Sequence, residues 1–175
     1  MIRKGRTMDT QGLLQYANQV YKATAGLMKL APAAKLGWRP ADRNNWMTLG
    51  QLLDHLSEAT GLGMKGFILG QWPAMPEGET ETLQAAIKMP SVSSVAEAIR
   101  RLDADRGLAA KLLTDLSQDD FRSRMVTAPW NPTPLPLWMQ LLLMVEHQIN
   151  HKAMLFAYLK LLGIPVHTGH LYGMA

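Results

Sequence analysis

The chain has 175 residues, of which 47% are hydrophobic and 18% are charged, and its formal net charge is +4. This length and balance predict a single globular domain over residues 1–175 and argue against intrinsic disorder. The basic residues are scattered and form no patch with stacking aromatic side chains, which argues against nucleic-acid binding. Cysteine is absent, so disulfide bonds, thiolate metal ligands and a cysteine nucleophile are excluded.

The N-terminal sequence does not predict export. Arg3, Lys4 and Arg6 are not followed by an apolar core of signal-peptide length. The most apolar stretch of the chain is too short, and too interrupted by polar residues, to span a membrane. We therefore expect a cytoplasmic protein without a membrane partner.

An apolar stripe with a 3.6-residue period predicts a first helix from about Asp9, its N-cap, to about Leu30. Residues 31–47 combine proline, glycine and asparagine with two tryptophans and predict a connection. Thr48 is then expected to open a second helix that continues to about Gly70.

The second helix carries a histidine and four glycines. His55 falls at the edge of its apolar face, from which the imidazole can reach the interior. Gly61, Gly63, Gly66 and Gly70 weaken its second half by about 1 kcal/mol each relative to alanine. They predict close helix packing or a kink there.

The middle of the chain predicts a long loop and a third helix. Residues 71–90 form a polar excursion with a possible helical turn at residues 83–88. Ser94 and Glu97 then match a capping box that opens a helix ending near Leu116.

The third helix has an interpretable charge pattern. Arginines alternate with aspartates along it, and this pattern predicts a solvated face. The residues of this face are Arg100, Arg101, Asp103, Asp105 and Arg106. Residues 117–133 are interpreted as a second long connection.

The fourth helix is predicted from Pro134, after an N-cap at Thr133, to Leu162, with Gly163 as the left-handed residue that ends it. His147 and His151 lie four residues apart, so their side chains lie one turn apart on the same face. The start of this helix is apolar almost all round, which predicts a central position in the fold.

Four amphipathic helices of about 20 residues, without a convincing strand pattern or repeat, predict an all-α four-helix bundle with long connecting loops. One histidine on the second helix and a pair on the fourth match the number of protein ligands in a catalytic zinc-type site. The candidate metal ligands are therefore His55, His147 and His151. The alternative is that these histidines form a hydrogen-bonded polar cluster in the core.

The residues between the paired histidines exclude one interpretation. His147 and His151 have the spacing of the zincin protease motif, but Gln148 stands where that motif has its glutamate base. An amide cannot act as a general base, so a metalloprotease is excluded. An all-imidazole ligand set favours zinc, nickel, copper or ferrous iron over magnesium or calcium.

Three groups of residues resemble the DinB/YfiT-like superfamily. They are Trp46, Thr48, Leu49, Gly50, Leu52, Leu53, His55 and Leu56, then Glu146, His147, Asn150, His151, Leu155, Tyr158, Leu159 and Gly163, and finally Leu171, Tyr172 and Gly173. The resemblance implies a four-helix bundle, commonly dimeric, with a divalent metal held by His55, His147 and His151. It also implies kinship with thiol-dependent S-transferases and maleylpyruvate isomerases, although many members have no established activity.

We therefore expect a metal-dependent transferase or hydrolase that acts on a small molecule, with a low-molecular-weight thiol as a candidate cosubstrate. Zinc or nickel is the first choice of metal, and iron or copper is the alternative. The competing hypothesis is a non-catalytic metal-binding stress or interaction protein of the same fold. In either case the resemblance favours a homodimer.

The sequence does not identify a general base. Asp54, Glu58 and Glu146 are interpreted as surface carboxylates or as groups that orient a ligand imidazole. Arg122 and Arg124 are candidates for contact with an anionic substrate, or a solvated loop pair. The last two histidines, His167 and His170, are expected to be exposed residues of the tail. Tyr172 is expected to anchor the tail to the core.

Overall fold

The computed structural model describes residues 8–41, 45–72 and 89–175. The predicted turn at residues 83–88 and the basic N-terminal residues lie outside the described residues. The helices are α1 (Thr10–Lys29), α2 (Leu49–Leu56), α3 (Ala59–Leu69), α4 (Val95–Asp115), α5 (Gln118–Ser123), α6 (Leu137–Leu161) and α7 (Thr168–Leu171). The strands are β1 (Met125–Ala128) and β2 (Asn131–Pro136). The predicted all-α class is confirmed, and one small hairpin accompanies the helices.

The helix ends follow the local signals in the sequence. Asp9 caps α1 by accepting a hydrogen bond from the Gly12 backbone N–H at 2.7 Å. Thr48 forms a complete capping box with Gln51 at the start of α2. The end of α6 is followed by Gly163 with φ of 78°, the left-handed conformation that glycine adopts without strain.

The cap of α4 differs in detail from the predicted box. Ser94 accepts from the Glu97 backbone N–H at 3.1 Å, as expected for an N-cap. The Glu97 carboxylate, however, accepts from the backbone N–H of Ser93 at 2.9 Å. The side chain thus reaches one residue further back than a capping box requires.

The predicted second helix is two helices, and this corrects the expectation of one helix weakened at its glycines. The break lies at Ser57 and Glu58, before the first glycine, and so directly after the turn that carries His55. Ser57 turns its hydroxyl back to the Asp54 carbonyl at 2.6 Å. The new helix α3 begins without a side-chain cap from its own N-cap residue.

A buried carboxylate from α4 caps α3 instead. Asp105 is 4% exposed, so its predicted place on a solvated face is wrong. It accepts hydrogen bonds from the backbone N–H groups of Gly61 and Leu62, at 2.8 and 3.1 Å, and from the Tyr21 hydroxyl at 2.7 Å. An anion is stabilised at a helix N-terminus because free N–H groups point at it.

The glycines of α3 allow the close packing that the sequence predicts. A Cβ atom added at Gly61 would collide with Asp105. At Gly63 it would collide with Met144, and at Gly66 with the Trp72 ring. Side chains from α4 and α6 therefore approach the α3 backbone directly.

The residues before α6 form a β-hairpin, which corrects both the predicted connection and the predicted start of the fourth helix. Strands β1 and β2 pair antiparallel, with Val126 opposite Leu135. Asn131, Thr133 and Leu135 each precede a proline, and residues in that position disfavour the helical conformation. The helix therefore begins at Leu137 rather than at Pro134.

The long helices enclose one hydrophobic core. Helix α1 packs against α4 and α6, and α3 packs against the same two helices, while α2 closes the group against α6. The largest fully buried side chains are Leu13, Leu27, Met28, Leu49, Leu52, Leu53, Leu56, Met64, Leu113, Phe121, Leu137 and Tyr158. Helix α6 contacts α1, α2, α3 and α5, as the predicted central position requires, although Leu143 in its apolar first half is 38% exposed.

The C-terminal residues lie on α1 and α6. Helix α7 contacts both of these helices, and Lys152 donates to the Leu171 carbonyl at 2.7 Å. Tyr172 is 66% exposed, so its expected role as a core anchor is wrong. Within the described residues, no helix combines the length and apolarity that a membrane crossing requires.

Candidate metal centre

Three histidine side chains from two helices meet in the structure. His55 lies in the last turn of α2, and His147 and His151 lie on successive turns of α6. One ring nitrogen from each histidine lies within 4.8 Å of the other two. The ring centroids are 4.4 to 4.9 Å apart. The structure thus brings together the three residues singled out in the sequence, and we call them the histidine triad.

Burial keeps the triad uncharged at neutral pH. Desolvation, followed by repulsion from the neighbouring imidazoles, lowers the pKa of His151 to about 3. Desolvation and His147 lower the pKa of His55 to about 4, against a small opposing effect of the Glu58 carboxylate. Desolvation also lowers the pKa of His147. Neutral imidazoles retain the lone pairs that a metal ligand needs.

The hydrogen bonding within the triad is incomplete. The Nε2 atoms of His55 and His147 are 2.7 Å apart, so one of them donates and the other accepts. The Nδ1 atom of His151 is buried and has no hydrogen-bond partner among the described residues. Buried polar atoms are normally satisfied, so this nitrogen requires an explanation. A cluster of neutral nitrogen donors with an unused lone pair fits a divalent transition metal.

The glutamine between the paired histidines links α6 to the end of α2 and the start of α3. Gln148 is 1% exposed, and its side chain points to the junction of α2 and α3. Its Nε2 donates to the Leu56 carbonyl at 3.1 Å, and its Oε1 accepts from the Thr60 hydroxyl at 3.0 Å. Leu56 follows His55 directly, so this bridge ties the three histidines together. The sequence analysis missed this role, although a polar residue within an apolar helix was a signal for it.

The carboxylates next to His55 are held by an arginine of α4. Arg101 lies 2.5 Å from Asp54 and 2.7 Å from Glu58, measured between nitrogen and oxygen atoms. Glu146 is exposed, and at about 100° per residue it lies about 100° to 140° around α6 from the two histidines of that helix. None of the three carboxylates has a hydrogen bond to a triad imidazole within the described part of the chain. Ion pairing to Arg101 leaves Asp54 and Glu58 poorly suited to act as a general base.

The remaining candidates lie outside the triad. Arg122 is exposed, whereas Arg124 is partly buried and donates to the Ile68 carbonyl at 3.0 Å. His167 is exposed and His170 is partly exposed, and their rings contact each other at 4.2 Å between centroids. The predicted position of these histidines outside the ligand group agrees with the structure.

The sequence matches a known protein family. The model of the DinB superfamily matches residues 16–155. The chain belongs to the DinB superfamily. This superfamily is associated with metal binding, which agrees with the histidine triad.

A solved structure supports the fold of this DinB-superfamily protein. The chain is similar to a DinB-like protein, YjoA, from Bacillus subtilis, whose crystal structure aligns with a TM-score of 0.63. The alignment covers 89% of this chain and 93% of YjoA at 18% sequence identity. At this identity the similarity establishes the fold alone. A search of curated proteins finds no match.

Proposed function

We propose that His55, His147 and His151 bind one divalent transition-metal ion, with zinc or nickel preferred and iron or copper as alternatives. The loaded site would transfer a low-molecular-weight thiol to a small electrophilic substrate, or hydrolyse a small substrate. The observation that carries this proposal is the convergence of three neutral imidazoles, one of which has an unused buried nitrogen.

The protein's own residues supply the ligands and their orientation. A bound metal would act as a Lewis acid and would lower the pKa of a bound water or thiol. Gln148 holds α2 and α6 in register, and burial keeps the imidazoles uncharged and able to bind. The chain contains no cysteine, so the sulfur of a transferred thiol must come from the cosubstrate.

The state of the nearby carboxylates favours thiol transfer over hydrolysis. Asp54 and Glu58 are both paired with Arg101, and activation of water normally requires a free base. A thiol ionises much more readily than water, since its unperturbed pKa is about 8.5. A cytoplasmic location, where small thiols are available, is part of this proposal.

The same observation supports a second candidate, a non-catalytic metal-binding protein. Among the described residues, the carboxylates next to His55 are paired with Arg101, and such a site suits storage or structural binding of a metal as well as it suits catalysis. A third possibility is a metal-free polar cluster, which the contact of 2.7 Å between His55 and His147 would satisfy in part.

Metal analysis separates the metal-binding candidates from the metal-free cluster. Protein purified without a histidine tag should contain about one metal ion per chain by elemental mass spectrometry, and His151→Ala should remove it. His170→Ala is the matched control, because this histidine lies outside the triad and its loss should leave the metal content unchanged. Metal far below one per chain, even after incubation with zinc or nickel, would refute the proposal.

Turnover then separates a catalyst from a binding protein. Metal-loaded and chelated protein are compared on a panel of small thiols with electrophilic acceptors, and on a panel of small esters and amides. Metal-dependent loss of free thiol that is absent in His151→Ala supports transfer. Full metal occupancy without turnover on either panel supports the non-catalytic candidate.

A further inference from the structure

A second candidate site lies between the end of α3 and the β-hairpin. It is an open cleft of about 470 Å³. Phe67 and Trp72 line one side of it, and Met125, Val126 and Thr127 of β1 line the other. Pockets of about 300 to 1,000 Å³ bind small molecules in proteins. The cleft therefore has room for a small molecule, and we call it the hairpin cleft.

Three aromatic rings form a corner at the hairpin cleft. Trp130, in the turn of the hairpin, contacts Phe67 and Trp72 at 6.1 and 5.4 Å between ring centroids, and Phe67 contacts Trp72 at 4.8 Å. The ring planes meet at 78° to 86°. Met125 and Trp130 are 55% and 56% exposed, so apolar surface at this corner faces water. Exposed apolar side chains that cluster beside a cleft are typical of a binding surface, whereas isolated ones are ordinary.

The two sides of the hairpin cleft are held in place by contacts within the chain. Arg124, the residue before β1, donates to the Ile68 carbonyl in the last turn of α3 at 3.0 Å. The Trp72 ring packs directly on the backbone of Gly66, where an added Cβ atom would collide with it. A site that is ordered before binding loses less conformational entropy when a ligand arrives. These contacts therefore favour binding in a cleft that is already formed.

The chemistry of the lining disfavours a charged ligand. Among the described residues, no charged side chain lines the cleft, and Thr127 supplies the one hydroxyl group. Moving an unpaired charge into apolar surroundings is costly. Aromatic side chains contact other aromatic rings favourably, either by offset stacking or edge to face. The lining therefore selects an aromatic ring system without a net charge.

We propose that the hairpin cleft binds a small, planar, uncharged aromatic molecule, with its rings against Trp72 and Trp130. The combination of cleft volume, aromatic walls and absence of charge among the described lining residues carries the proposal. None of the three histidines of the triad lines the cleft. Binding there is therefore independent of the metal and of catalysis, and the tests use chelated protein.

Fluorescence titration of the full-length chelated protein tests the proposal. The probe is phenylnaphthylamine, an uncharged aromatic amine whose emission rises in apolar surroundings. It should bind saturably, at about one molecule per chain. Anilinonaphthalene sulfonate has the same rings with an added negative charge, and its dissociation constant should be at least about tenfold higher. Equally tight binding of the two probes would overturn the assignment of an uncharged ligand.

Substitutions at exposed positions locate the bound probe. Trp130→Leu removes one ring of the corner but keeps an apolar side chain, and it should raise the dissociation constant by about three- to tenfold. Thr127→Glu places a carboxylate in the cleft and should raise it by about tenfold or more, whereas Thr127→Val should change it by less than about twofold. Trp46→Leu is the matched control, because this exposed tryptophan lies outside the cleft.

The fold of each variant is checked by circular dichroism. Helix content should be unchanged, since Thr127 and Trp130 are exposed. Absence of saturable phenylnaphthylamine binding by the folded wild-type protein would overturn the proposal. It would also be overturned if Trp130→Leu and Thr127→Glu weakened binding no more than Trp46→Leu does.

Discussion

The bridge formed by Gln148 offers the sharpest test of how the fold builds the histidine triad. Gln148→Met keeps the length and volume of the side chain but removes both hydrogen bonds, to Leu56 and to Thr60. The Leu56 carbonyl and the Thr60 hydroxyl are then left buried next to an apolar side chain. Two lost hydrogen bonds and the unsatisfied groups they leave should lower the free energy of unfolding by about 2 to 4 kcal/mol.

The bridge should also affect metal binding, because it holds the backbone next to His55. Loss of groups that orient metal ligands typically lowers metal affinity by about 10- to 100-fold, and we expect the lower end here since Gln148 does not contact an imidazole. Urea denaturation of the metal-free protein measures stability, and competition with a chelating dye measures affinity.

Thr60→Val is the matched control for the bridge. It removes the Thr60 hydrogen bond to Gln148 together with the longer one of 3.4 Å to the Met144 carbonyl, and it should cost about 1 kcal/mol. A double-mutant cycle of both substitutions should give a coupling energy of at least about 0.5 kcal/mol. If Gln148→Met leaves the unfolding free energy unchanged within about 0.5 kcal/mol and also leaves metal affinity unchanged, the bridge does not position the triad.

Two further predictions follow from burial and from close packing. The unfolded imidazoles of His55 and His151 titrate near 6.5, whereas the folded ones titrate near 4 and 3, so the unfolded state binds more protons between these values. The unfolding free energy of the chelated protein should therefore fall by a few kcal/mol from pH 7 to pH 4.5. His55→Asn should reduce this loss. An equal pH dependence of the wild-type protein and the variant would contradict the argument. Gly26→Ala in α1, where a Cβ atom meets open space, should raise the unfolding free energy by about 0.5 to 1 kcal/mol. Gly66→Ala should lower it by about 1 to 3 kcal/mol, because the new Cβ atom collides with the Trp72 ring; thermal denaturation measures both, and the same sign for both would refute the packing account.

The sequence by itself determined the features that depend on neighbouring residues. Asp9, Thr48, Ser94 and Gly163 mark helix ends because each satisfies or terminates backbone groups within a few residues of itself. The spacing of the paired histidines placed both on one face of α6 for the same local reason. The all-α class followed from the repeated apolar stripes.

Local patterns misjudged the segments whose conformation depends on distant partners. The break after α2 is stabilised by Asp105 from α4, and an aspartate next to arginines carries no sign that it will cap another helix. Pro134 and Pro136 were interpreted as part of a first helical turn, although the residues before them disfavour the helical conformation, and pairing with β1 completes the extended conformation. The hydrogen bonds that stabilise the start of α3 come from Asp105 of α4. The hydrogen bonds that hold residues 131–136 extended come from the opposing strand β1.

The triad shows the same division between local and tertiary information. The sequence identified the three histidines, and the helical repeat aligned two of them. Only the tertiary structure brought His55 to the other two, buried the rings so that their pKa values fall, and left the Nδ1 atom of His151 without a partner in the described part of the chain. Burial and convergence arise from the packing of α2 against α6, which Gln148 secures across 92 residues of sequence. No pattern within either helix contains that contact.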